Sequence, residues 1–295
     1  MFNEEQRTTN PDGQVGIPIC HRDKEQMVYD LLSDYLNKKK CLFFRIEPDT
    51  KLQTTSYPDG QVGIPSLPRD KLQATKDINP RVTTLLNLER LEDELLVGMH
   101  QKTRYNIRVA AKQGVMVREE KNTELLMKLL KKTGQRDGFT LHGRAHYEHV
   151  LNSPLTYQLT AYQGAVQLAT AVFVGFGDCF TYLYGASDYA YRALMAPYAI
   201  QWRGILLARR LGYKQYDTFG IAPTLVKSQK SKVKSPSEYV YDLNHQYAGV
   251  TRFKLGFSGI PVERPGTYDL ILQPGKYRMY QILRAVRRIF LVLVV

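Results

Sequence analysis

The chemistry this chain can do has to come from its lysines, arginines, tyrosines and carboxylates, because it offers no ready-made nucleophile. There is no G-x-S-x-G elbow, no P-loop and no cysteine with a local histidine partner, so covalent catalysis is not expected. His142, His146 and His149 suggest a metal, yet no acid or cysteine completes them at ligand spacing, and they read as surface histidines of a helix with no metal. The segment Gln201-Trp202-Arg203-Gly204-Ile205-Leu206 matches half of a pyrophosphate loop for acyl-CoA. It falls inside a helix, where its amides are already used, so the match is weak. What remains is a set of tyrosines and charges at the ends of strands and helices: Tyr182, Tyr184, Tyr198, Tyr216, Arg192, Asp217 and Lys254. Each tyrosine can equally be a half-buried packing residue. Lys254, in R-F-K, is the residue whose type suits acyl transfer, because an ammonium there polarises an ester carbonyl and steadies the charge that develops when an amine attacks it.

A second candidate is the stretch Met99 to Gly114, MHQKTRYNIRVAAKQG, which carries His100, Lys102, Arg104, Arg108 and Lys112 and no acid. Arg104, Arg108 and Lys112 recur every four residues and share one helical face, while Ile107, Ala110 and Ala111 are expected to pack inward. Such a face is either a solvated surface or an anion-binding one.

The elements that must position these residues alternate along the chain. Lys24 to Lys39 reads as an amphipathic helix, Cys41 to Ile46 as a buried strand and Arg81 to Leu88 as another. Leu91 to Met99 begins a helix expected to run on into the basic stretch. A helix is expected from Thr123 to Lys132, capped by Asn122 and stopped by Gly134, and a shorter one from Arg144 to Leu151. Tyr157 to Tyr162, Ala165 to Val174 and Cys179 to Tyr184 form an antiparallel meander. A helix from Tyr198 to Leu211 and a strand from Tyr213 to Phe219 follow. After a lysine-rich loop, Val250 to Phe257 reads as a strand and turn, Tyr268 to Leu272 as the closing strand, and Tyr277 to Phe290 as a basic amphipathic helix. This order gives an α/β (α+β) protein. Residues 11–26 recur at 58–73 with twelve of sixteen positions identical, and both copies read as connectors.

The totals set the partners. At 295 residues and 43% apolar, two domains with sizeable cores are expected. The net charge of +13 draws polyanions, whether nucleic acid, nucleotide diphosphates or an anionic membrane face. Cys20, Cys41 and Cys179 are widely separated and suggest a reducing compartment, and the polar N-terminus shows no secretory signal. The expected location is cytoplasmic. The C-terminal helix either caps the first domain or rests peripherally on the inner face of the plasma membrane.

Several stretches, in order, resemble the Fem family of peptidoglycan interpeptide-bridge aminoacyltransferases. They are FFRIEPD at 43–49, KDINPRVT at 76–83, KTRYNIR at 102–108, YLYGASD at 182–188, MAPYAIQW at 195–202, YDTFGI at 216–221 and GVTRFKLGFSG at 249–259. The resemblance implies two tandem GNAT-like domains with mixed sheets. The first would span 1–98, completed by 260–290, and the second 99–259, with 260–295 forming the closing strand and basic helix. It implies a monomer that uses aminoacyl-tRNA as donor substrate, no separate cofactor, and a UDP-linked or lipid-linked muropeptide as acceptor. Phe253 and Lys254 would sit at the transfer centre, with Asp217 as proton acceptor, and Arg192, Tyr184, Tyr198 and Tyr216 would hold the precursor. The family's leading strands have no counterpart ahead of the first amphipathic helix, which implies a shortened first domain, and its long helical arm is absent. tRNA contact would then fall to Lys102, Arg104, Arg108 and the loop lysines Lys230 and Lys232. Two alternatives stay open: a non-catalytic protein that holds tRNA or precursor, and a GNAT-like N-acyltransferase that uses acyl-CoA.

Overall fold

The computed structural model describes residues 34–47, 71–225 and 235–293. The first copy of the repeat, most of the second, the lysine-rich loop with Lys230 and Lys232, and the first part of the helix expected at 24–39 lie outside the described residues; residues 34–38 are helical. The chain forms two compact units, one of residues 1–78 with 264–295 and the other of residues 79–263.

In the larger unit, seven strands form one sheet in the order β4-β5-β6-β7-β8-β3-β9. They are β3 (Val82–Asn87), β4 (Met116–Glu119), β5 (Thr156–Gln163), β6 (Val166–Phe176), β7 (Cys179–Ser187), β8 (Gln215–Asp217) and β9 (Ile260–Glu263). The expected meander is β5 to β7. β7 and β8 are parallel and every other pair is antiparallel, so the sheet is mixed. The helix between the parallel strands, α5 (Ala196–Arg210), is the crossover that a parallel pair requires. It contains the Gln201 to Leu206 segment, so the resemblance to a CoA loop has no helix start to act from. The strand and helix expected within residues 1–98 belong to this unit, because β3 is hydrogen-bonded between β8 and β9.

Both faces of the sheet are covered. On one, α2 (Gln101–Lys112) and α5 pack over Leu86, Leu159, Phe173, Phe180 and Tyr216; on the other, α3 (Thr123–Asp137) and α4 (Arg144–Asn152) pack over Tyr162, Val172 and Ala186. Burying an aromatic such as Phe173 or Phe180 contributes about 1.5–3 kcal/mol each.

Several local expectations are corrected. The helix starting near Leu91 does not run into the basic stretch: α1 (Glu92–Gly98) ends at Met99, which is extended, and His100 restarts the chain by accepting from the Lys102 amide at 3.2 Å. Ala111 is exposed, and the inward residues of α2 are Thr103, Asn106 and Ala110. Gly134 does not stop α3; it lies inside the helix, where a Cβ would meet the Phe139 carbonyl at 3.0 Å, and Gly138, at φ +72°, is the left-handed cap. Val250 to Phe257 is not a strand: Ala248–Leu255 is a helix, α6. A run this short fits both periods, and the burial of Thr251, Lys254 and Phe257 at intervals of three follows the helical one.

The smaller unit holds an antiparallel sheet of β1 (Phe43–Ile46), β10 (Tyr268–Ile271) and β2 (Leu72–Ala74), in that order, and helix α7 (Pro274–Leu293). Its polar centre is Asp269, 1% exposed, which accepts from Arg45 Nε at 2.6 Å and Nη2 at 2.8 Å, and from the Tyr277 hydroxyl at 2.7 Å. The Asp269 bond holds the Arg45 guanidinium above its ordinary pKa.

Candidate active site

The site begins where the sheet divides. β8 pairs with β7 only over Cys179 to Thr181 and ends at Asp217, whereas β7 keeps its β6 partner as far as Ser187. The edge of β7 from Tyr182 onward therefore lacks the β8 ladder. A bulge between Val172 and Phe173 acts on the same stretch, pairing Tyr182 with Phe173 but Tyr184 with Val172. The extra residue turns two tyrosines that alternation would place on one face towards opposite cores. The Tyr182 side chain lies back along its own strand, so a Cβ at Gly185 would meet its hydroxyl at 1.6 Å.

Lys254, on α6, is 7% exposed and donates from Nζ to the carbonyls of Phe219 at 2.7 Å and Gly220 at 2.8 Å. Its ammonium also stands 5.6 Å from the centre of the Tyr182 ring. The carbonyls are presented by an unusual backbone: Phe219 has φ 58°, and Gly220 packs so closely that a Cβ would meet Pro80 Cγ at 2.5 Å. Burial pulls the Lys254 pKa down from 10.5 to about 7, with the nearby Asp217 charge opposing. Burial likewise pushes the Tyr182 phenol up to about 12.

Asp217 is 3% exposed, and its Oδ1 accepts from the Thr83 hydroxyl and from the Phe219 amide at 2.6 Å. This corrects its expected role: that oxygen is already committed, and the carboxylate holds the Phe219 turn and supplies negative potential to Lys254. Tyr216 is also corrected. It is fully buried in the main core with its hydroxyl donating to Gln201 Oε1 at 2.6 Å, out of reach of any substrate. Tyr184 lies over α3 and α4, its hydroxyl 2.8 Å from His146 Nε2.

Three predicted residues meet around a pocket of about 180 Å³: Arg192, Tyr198 and Phe253, with Leu168, Ser187, Asp188 and the start of α5 completing the wall. Tyr198 and Phe253 pack edge to face at 4.9 Å, which places one residue of the R-F-K word on the pocket and its neighbour Lys254 beneath the sheet opening. Arg192 lies over the Tyr189 ring at 4.5 Å. Asp188 bonds Lys132 and the Ala190 amide, and the Lys132 contact, the larger cause, holds its carboxyl below the usual range. Lys132 therefore brings a further cation to the pocket's edge. Met195, with φ 55°, sets the entry of α5, whose positive end also favours an anionic group here.

Of the basic residues expected to meet tRNA, Lys102 and Arg108 are exposed on α2. Arg104 is not free to serve: its Nη1 donates to the Val97 carbonyl at 2.8 Å and to the Met99 carbonyl, closing the end of α1. Among the described residues no cluster of histidine, cysteine and acidic side chains is arranged to hold a metal. His142 and His146 instead stack with centroids 4.2 Å apart, and burial together with the neighbouring histidines lowers the His146 pKa. Thr83, Gln201 and Asp188 were not singled out as site residues from sequence. Thr83 and Gln201 act through partners distant in the chain, and no local spacing marks them.

The mixed sheet, its crossover helix and the gap beyond β8 define a GNAT-like α/β protein. A family model described as the FemAB family matches residues 69–154 and 154–285, and the chain belongs to that family. The lipid II:glycine glycyltransferase of Staphylococcus aureus is 24% identical over 145 residues, which are 47% of this chain and 34% of that protein. The chain thus spans about a third of the length of the curated relatives it matches. The crystal structure of FemX superposes with a TM-score of 0.65 at 17% identity, over 90% of this chain and 81% of that one, a likeness of fold.

Proposed function

We propose that this chain forms a peptide bond between an aminoacyl group carried by tRNA and an amine on the stem peptide of a UDP-linked or lipid-linked muropeptide. The observation that carries the reading is the pocket in which Arg192, Tyr198 and Phe253 converge beside Lys254 in a FemAB-family chain. The relative that acts as a lipid II:glycine glycyltransferase supports the same acceptor class. In this reading the acceptor amine attacks the ester carbonyl of the aminoacyl end. The N–C bond forms, the oxygen takes negative charge beside the Lys254 ammonium, and the C–O bond then breaks. The amine's proton leaves with the tRNA hydroxyl, directly or through water. Arg192 and the positive end of α5 receive anionic parts of the precursor, and Tyr198 and Phe253 form the apolar wall. Lys102 and Arg108 receive the tRNA backbone, which makes binding fall with added salt.

The test is incubation of the full chain with aminoacylated tRNA and a UDP-linked muropeptide, followed by mass spectrometry of the acceptor. A mass gain of one aminoacyl residue that requires the charged tRNA is expected. Salt-sensitive tRNA binding with no gain by a folded protein would favour the non-catalytic alternative. Acceptor modification that needs acyl-CoA would favour the other.

A further inference from the structure

We infer that α7 is a membrane-surface helix that docks this chain on a bilayer rich in anionic phospholipid. Its first turns are fixed to the small sheet. Tyr277 is 2% exposed, donates to Asp269 and packs edge-on against Phe43 at 5.3 Å, with Tyr280 beside it. The opposite face carries Met279, Ile282, Leu283 and Val286, which are 57%, 64%, 61% and 42% exposed. At 3.6 residues per turn these four fall within an arc of about 100°. Exposed Lys276 and Arg278 stand at its two edges. In the sequence Ile289, Phe290 and Leu293 continue the same spacing, and Arg287 and Arg288 add to the charge.

The charge pattern selects the occupant. From Pro274 to the last residue there are five cations, Lys276, Arg278, Arg284, Arg287 and Arg288, and no acid. A second copy of the helix would bring the same cations against them, whereas a layer of anionic headgroups over acyl chains matches both the apolar stripe and its basic edges. The helix lies on the surface and does not cross it: no described helix is long and apolar enough to span a membrane.

The experiment is flotation of the full chain with vesicles of phosphatidylcholine alone or with added phosphatidylglycerol. Binding is expected only with phosphatidylglycerol, falling about fivefold for each of Lys276→Ala and Arg278→Ala. It should be lost with Ile282→Glu combined with Leu283→Glu. These positions are exposed, so far-ultraviolet dichroism of the variants should match the parent. Aminoacyl transfer to a soluble UDP-linked acceptor, a separate readout, should not change. Three results overturn the inference: equal binding to both vesicle types, undiminished binding of the glutamate variant, or a parent dimer that the glutamate variant dissolves, which would assign the face to a second copy.

Discussion

Replacing Lys254 with methionine tests the electrostatics of the site directly. Burial holds this lysine near 7, against 10.5 for an ordinary lysine, so the unfolded chain keeps its proton through an alkaline range in which the folded chain has released it. Stability must therefore rise as pH climbs from about 7 towards 10.5, by at most about 1.4 kcal/mol per pH unit. Over the whole interval the difference is about 5 kcal/mol. Methionine removes this dependence but leaves the Phe219 and Gly220 carbonyls without their donor, a loss of about 1–3 kcal/mol each. Around pH 7 the relief and the loss oppose one another. By about pH 9 the buried amine is neutral and the relief has gone, so the advantage of the parent over Lys254→Met should have widened by about 2–3 kcal/mol. Urea unfolding of both proteins at several pH values from about 7 to 9 measures that widening, and subtraction cancels other titrating groups. Parallel curves would refute the burial argument.

Further substitutions separate structural from ligand-facing roles. Arg104→Ala should lower stability by about 1–3 kcal/mol by uncapping α1, whereas Arg108→Ala should leave the unfolding midpoint unchanged and weaken tRNA binding with a shallower salt dependence. Tyr216→Phe strands Gln201 Oε1 in the core and should reduce stability by about 1–3 kcal/mol with no change in the acceptor's KM. Gly185→Ala drives a methyl into the Tyr182 hydroxyl, with an expected loss of about 1–3 kcal/mol by thermal unfolding and slower transfer as the ring leaves Lys254. Asp269→Asn weakens a buried bidentate pair in the small unit and should cost about 3–5 kcal/mol in that unit's unfolding.

The long elements were legible in the sequence because their periodicity is unambiguous: the β5–β7 meander and α5 appear where alternation and the early Pro197 place them. α6 was misread because eight residues fit either period, and its true period is what carries Lys254 onto a buried face. The pocket was half legible. Arg192, Tyr198 and Phe253 meet as their motifs suggest, but Tyr216 and Tyr184 part company from it. The bulge between Val172 and Phe173 aims Tyr182 and Tyr184 at different cores, and no sequence signal announces it. Arg104 reads as part of a charged face, and only the break at Met99 shows that its guanidinium is needed for a helix end.

The central claim is that the Lys254 ammonium steadies the charge of acyl transfer. Single-turnover transfer from charged tRNA to a muropeptide, compared between the parent and a folded Lys254→Met variant that still binds tRNA, tests it most directly. A rate lower by about a hundredfold to a thousandfold is predicted. Transfer by the variant at the parent's rate would contradict the claim.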